Sequence, residues 1–182
     1  MAEDEALTID VDGNRIAVRR RAGRSPGGFW LGGFNSEMTG TKAAMLDQWA
    51  ADSGHAFLRH DYSGHGQSGG AFRDGTISRW TNESLAVFRA FAQGPQVLVA
   101  SSMGAWIALR MIAALRTAGE ERVAGLVLIA PAPDFTSELL AARLGAKQRK
   151  ALETQGYFEE ASEYSPQPTV YTRALRSEEH TS

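Results

Sequence analysis

The chain has 182 residues, 43% hydrophobic and 22% charged, with a net charge of −2 at pH 7. That is the make-up of one globular domain with a sizeable core, and it excludes a nucleic-acid partner recruited by bulk positive charge. The absence of cysteine excludes disulfides, thiolate catalysis and cysteine-based metal sites.

No apolar run reaches the roughly 20 residues of a membrane span. The acidic start, Met1-Ala2-Glu3-Asp4-Glu5, lacks a targeting pattern, so a cytoplasmic protein is expected. Thr8–Val11 and Arg15–Arg20 flank Asp12-Gly13-Asn14 and predict a hairpin, because these turn residues tolerate positive φ. A short apolar run at Gly28–Gly32 predicts a buried strand. Thr41–Ser53 carries Ala44, Met45, Leu46, Trp49 and Ala50 at helical spacing, and Gly54 ends it. His55–His60 reads as a strand and Asp61 to Gly75 as a glycine-rich loop. Ile77–Gln93 reads as a helix broken by Gly94-Pro95. Gln96–Ala100 is the most apolar strand, Ser102–Thr117 the helix after it, and Val123–Ile129 a further buried strand closed by Pro131 and Pro133.

Strands alternating with helices after an initial hairpin imply an α/β fold: a mostly parallel sheet with helices on both faces. Ligands of such sheets bind at the carboxyl ends of the strands, where Phe34, the Asp61 loop, Ser102 and Pro131 all fall. After Pro133 the texture changes. Asp134–Leu144 and Lys147–Gln155 predict two short helices, with Asp134 as an N-cap. Tyr157–Tyr171 is polar, aromatic and interrupted by proline. This region reads as a lid over the cleft, and its Phe135, Leu139, Leu140, Leu144, Tyr157 and Phe158 suit either an apolar acyl group or packing on the core.

Ala100-Ser101-Ser102-Met103-Gly104 places a serine among small residues between a strand and a helix, the pattern of a nucleophile elbow. Ser102 is the candidate nucleophile. With Ser101 in that role the flanks would be Val99 and Met103, too bulky for the turn. Acyl transfer also needs a base and two donors for the developing oxyanion. The Met103 N–H is the first donor. The second comes from Leu31-Gly32-Gly33-Phe34-Asn35-Ser36, with the Phe34 N–H favoured and Gly33 as the alternative. In His60-Asp61-Tyr62-Ser63-Gly64-His65-Gly66-Gln67-Ser68, Asp61 suits hydrogen bonds to local backbone N–H groups. This loop, with His65, reads as a scaffold turn rather than a base, and His55 and His60 read as structural.

These three segments together resemble the α/β-hydrolase superfamily. They are most similar to its acyl-protein thioesterase and acyl-glucuronide esterase branch and that branch's bacterial relatives. Met38-Thr39-Gly40-Thr41-Lys42-Ala43, Gly94-Pro95-Gln96, Gly156-Tyr157-Phe158 and Tyr164-Ser165 share that texture. The resemblance implies hydrolysis of thioesters or carboxylic esters by a Ser-Asp-His triad on small or acylated substrates, without metal or cofactor. It also implies an α/β-hydrolase fold here missing its C-terminal strands. Residues 1–133 would form the N-terminal part of the core and 134–175 the lid.

Residues 176–182, Arg-Ser-Glu-Glu-His-Thr-Ser, match one reading frame of a widely used sequencing adapter. The natural sequence is therefore expected to depart at about Arg176, and His180 to carry no role. Without the later base, the 182-residue chain is expected to be poorly soluble and essentially inactive, and its parent an active esterase. The competing function is a non-catalytic module that binds a ligand in the same cleft.

Overall fold

A computed structural model describes residues 4–133, 144–161 and 168–177. The chain opens with the expected hairpin, longer than its apolar core suggested: β1 (Asp4–Val11) and β2 (Asn14–Arg21) pair antiparallel. Asp12 and Gly13 both have positive φ, at 51° and 79°, the signature of the tight turn that Asp-Gly favours. Next come β3 (Arg24–Leu31), α1 (Thr41–Ser53), β4 (His55–His60) and a 3₁₀ turn at Phe72–Asp74. They are followed by α2 (Ile77–Phe91), β5 (Gln96–Ser101), α3 (Met103–Thr117) and β6 (Val123–Ile129).

The strands form one six-stranded sheet in the order β1-β2-β4-β3-β5-β6. β3 pairs parallel with β4 and β5, β5 parallel with β6, and β2 antiparallel with β4. The sheet is therefore mostly parallel with an antiparallel start, as expected. Alternation along the strands sends side chains to two faces. Phe29, Leu31, Leu58, Leu98 and Ala100 meet α2 and α3 residues such as Trp80, Phe88, Met111 and Leu115 in the main core. Trp30, Phe57 and Val99 meet Ala43 and Ala50 of α1 in a smaller one.

An ionic network ties the hairpin to α1. Arg21 binds both carboxylate oxygens of Asp47, at 2.9 and 2.8 Å, and Arg59 bridges Asp47 and Asp4 at 3.3 and 2.8 Å. Burial pushes the Asp47 carboxyl up, but the Arg21 hydrogen bond and the Arg59 charge outweigh it and hold it below the usual carboxylate range. β6 is the edge of the sheet among the described residues, and its Val127 and Leu128 are substantially exposed.

Beyond β6, α4 (Ala146–Thr154) fits the second predicted short helix. The first, with Asp134, Phe135, Leu139 and Leu140, lies outside the described residues but for Leu144. In the polar, aromatic stretch Tyr157–Tyr171, to which the sequence assigned no element, β7 (Tyr157–Glu160) and β8 (Thr169–Thr172) pair antiparallel, and α5 (Arg173–Ser177) follows. Phe158 packs with Leu144 and Leu152 in a small core of its own, so packing accounts for two of the apolar residues, Leu144 and Phe158, that the sequence offered as candidates for a lid.

Candidate active site

The chain leaves β3 for β4 on one side and returns to β5 on the other. Such a switch in strand order opens a crevice at the carboxyl ends of the two strands. Ser102 stands at the end of β5 and caps α3, with φ 52° and ψ −121°. A positive φ is costly for any residue with a Cβ, and the surroundings over-determine it. The Ser102 N–H donates to the Ile129 carbonyl at 3.0 Å, and its carbonyl accepts from the Ala105 and Ala132 N–H groups at 3.0 and 3.2 Å. Ser101, by contrast, is the last residue of β5, in ladder with Ile129.

The small neighbours have a steric reason. A Cβ on Gly104 would lie 2.3 Å from the Leu31 carbonyl oxygen, and one on Gly33 would lie 3.4 Å from the Ser102 Cβ. The segment after β3 therefore sits directly against Ser102. Met103 is the first residue of α3, so its N–H is among those a helix leaves without an intrahelical partner.

The Gly32–Met38 segment is held by side chains of the Asp61 loop. Tyr62 Oη donates to the Gly32 carbonyl at 3.1 Å, His65 Nε2 accepts from the Asn35 N–H at 3.3 Å, and Asp61 Oδ1 accepts from the Met38 N–H at 2.6 Å. The other Asp61 oxygen accepts from the Gln67 N–H at 2.8 Å, the local backbone bond expected of it. Burial pushes the Asp61 carboxyl up, opposed by these two donors. Ser68 ties the loop to β2: its hydroxyl donates to the Asp61 carbonyl at 2.6 Å and accepts from the Ala17 N–H at 2.8 Å. The loop is thus a scaffold, and what it supports is the segment that faces Ser102. The sequence carries no local sign of this, because the partners lie 23 to 30 residues apart.

The Phe34 ring lies edge-on to Phe72 and Trp80, with centroids at 5.0 and 6.1 Å, and stacks on Tyr171 of β8 at 5.4 Å. Tyr171 stacks in turn on Phe158 at 5.0 Å. The β7–β8 hairpin therefore seats on the segment beside Ser102.

The three described histidines all have hydrogen-bond partners. His55 lies at the amino end of β4, away from the crevice, and bonds the Pro26 carbonyl at 2.9 Å. His60 Nε2 meets Ser84 Oγ at 3.0 Å. That hydroxyl donates to the Trp80 carbonyl, so His60 donates from Nε2. Burial pushes its pKa down to about 3 and that of His65 down to about 4. The only other histidine, His180, lies outside the described residues.

Residues 25–179 match the family described as the alpha/beta hydrolase family. The human mitochondrial palmitoyl-protein thioesterase ABHD10 is 36% identical over 150 residues, 82% of this chain and 47% of that protein. The bovine protein of the same name is 35% identical over the same share. The chain thus spans about half the length of the curated relatives it matches. Among solved structures, a protein from Agrobacterium vitis S4 named as a hydrolase superposes with a TM-score of 0.90 at 49% identity, covering 100% of this chain and 72% of that one. Mouse alpha/beta hydrolase domain-containing protein 10 gives 0.79 at 30% identity, covering 97% and 70%. The chain belongs to the alpha/beta hydrolase family.

Proposed function

We propose that Ser102 is the nucleophile of an esterase or thioesterase that acts through an acyl-enzyme intermediate. The observation that carries the reading is the strained Ser102 backbone, at φ 52° and ψ −121° on a strand-to-helix turn, with Gly33 packed against it. In this reading the Ser102 hydroxyl attacks the acyl carbonyl, and the N–H groups of Phe34 and Met103 stabilise the resulting oxyanion. The named activity of the ABHD10 relatives supports a thioester or ester as substrate. The apolar surround of Phe34 supports an apolar acyl group, and the β7–β8 hairpin acts as part of the lid. The cytoplasmic setting expected from the sequence belongs to the proposal too, since those relatives are named as mitochondrial.

A base must take the Ser102 proton. His55, His60 and His65 are all engaged elsewhere, so the base comes from outside the described residues. The test is turnover of an aryl ester and an acyl thioester by the full-length gene product. Ser102→Ala is expected to cut kcat by about 10⁴-fold or more, while Ser101→Ala leaves it near wild type. Turnover that survives Ser102→Ala would refute the assignment. The commitment of every described histidine is the one observation that favours a non-catalytic binding module, and a protein without Ser102-dependent turnover would be that module.

A further inference from the structure

The hydrogen bond between Asn35 and His65 fixes more than a distance. The Asn35 N–H donates to Nε2 at 3.3 Å, so that nitrogen carries no proton. The ring proton is then on Nδ1, which donates to the Ser63 carbonyl at 3.2 Å. His65 is therefore held as one neutral tautomer by two backbone groups. The ring is 4% exposed and is enclosed by Tyr62, Phe72 and Trp80 at centroid distances of 5.5, 4.8 and 5.1 Å.

The accepted bond falls on a turn with two possible orientations. The Gly33 carbonyl accepts from the Ser36 N–H at 3.2 Å. Of the two residues between them, only Asn35 has a positive φ, at 55°. Those signs define a type II turn. Types I and II share the closing bond and differ by rotation of the central peptide, here the one joining Phe34 to Asn35. Sterics favour the type I orientation for a residue with a Cβ. An acceptor at His65 Nε2, on the side where the Asn35 N–H points, offsets that preference.

We propose that His65 is a positioning residue: through the Asn35 N–H it holds the Phe34–Asn35 peptide in the type II orientation and so fixes the turn whose preceding peptide, Gly33–Phe34, carries the Phe34 N–H in the segment packed against Ser102. The inference rests on Phe34 as an oxyanion donor. It gives the histidine of the Asp61 loop a role in the reaction without proton transfer. Because burial keeps the ring neutral down to about pH 4, the acceptor persists throughout the neutral range.

Two substitutions separate the two ring nitrogens. His65→Asn keeps a donor for the Ser63 carbonyl and removes the acceptor at Nε2. His65→Gln returns an acceptor oxygen to the Nε2 position. The readouts are amide hydrogen exchange at Asn35 in the full-length gene product and the kinetics of ester turnover. In H65N, Asn35 exchange is expected to rise about tenfold or more, while Phe29 and Leu98 in the central strands stay protected. Its kcat is expected to fall about tenfold at nearly constant KM. H65Q restores both, and adding Asn35→Gly to H65N restores kcat, because glycine favours the type II turn unaided.

Unchanged Asn35 exchange in H65N overturns the proposal. So does a kcat loss as deep in H65Q as in H65N. If H65N does not fold, H65Q decides alone, and a tenfold rise in its Asn35 exchange refutes the role. Turnover that survives Ser102→Ala removes the nucleophile assignment separately, and Asn35 exchange then decides whether His65 holds the turn.

Discussion

At Ser102 the chain stores strain where chemistry is proposed. A serine at φ 52° and ψ −121° costs on the order of 1–3 kcal/mol relative to a residue at ease there, and glycine is such a residue. Ser102→Gly is therefore expected to be about 1–2 kcal/mol more stable than Ser102→Ala, although both lack the hydroxyl. Urea unfolding of the pair measures it, and equal stabilities would mean the backbone is not strained. Gly104 sits under the opposite constraint, since a Cβ there would lie 2.3 Å from the Leu31 carbonyl oxygen. Gly104→Ala is expected to cost about 2 kcal/mol or more, visible as a lowered unfolding midpoint. These positions were legible in the sequence because steric demand is local: small residues cluster around the serine that needs them. The His65 bond was not legible, because its partner lies 30 residues away and its tautomer follows from a bond to the Ser63 carbonyl.

The elements were legible to different degrees for equally physical reasons. The bounds of α1 and β4 follow from Gly54, which takes the left-handed C-cap at φ 71°. β3 begins earlier than its apolar run, at Arg24, since its register against β4 shifts between Arg24 and Gly28 and breaks the alternation. The β7–β8 hairpin carries no clean periodicity and is defined by what it touches. Tyr171 stacks on both Phe34 and Phe158. Tyr171→Ala is expected to weaken the seat by roughly 2 kcal/mol. Proteolysis between residues 157 and 172 would then rise while the unfolding midpoint of the main sheet barely moves, and unchanged cleavage would show that the stack does not hold the hairpin.

A pH effect belongs to the packing of β4 and the Asp61 loop. His60 and His65 have folded pKa values near 3 and 4, lowered by burial from an ordinary 6.5. The unfolded chain therefore binds more protons than the folded one below about pH 6.5. Stability is full above that point and falls as pH drops, by about 1.4 kcal/mol per pH unit for each histidine. Asp61 and Glu83, whose carboxyls burial pushes up, act with the opposite sign, so the loss sets in below about pH 6.5 and is partly offset as pH falls toward about 4, the folded His65 value. Denaturant titrations across that window should show it, and H65Q should remove about half the slope. A flat profile would contradict the neutral, buried state of both rings.

On the scale of the molecule, the sheet order decides where chemistry can occur. The switch between β3 and β5 brings Gly33 and Ser102 together from segments nearly seventy residues apart. The α/β class and the parallel core followed from the alternation of apolar runs with helical patterns. The order of strands emerges only from packing, as does the face that α1 covers. The central claim is that this crevice presents Ser102 as a reactive nucleophile. Its most direct test is labelling of the full-length gene product with a fluorophosphonate, followed by mass spectrometry of the peptide that spans Val97 to Arg110. One adduct is expected, on Ser102, lost in Ser102→Ala and retained in Ser101→Ala. No adduct on Ser102, or one that persists in Ser102→Ala, would contradict it.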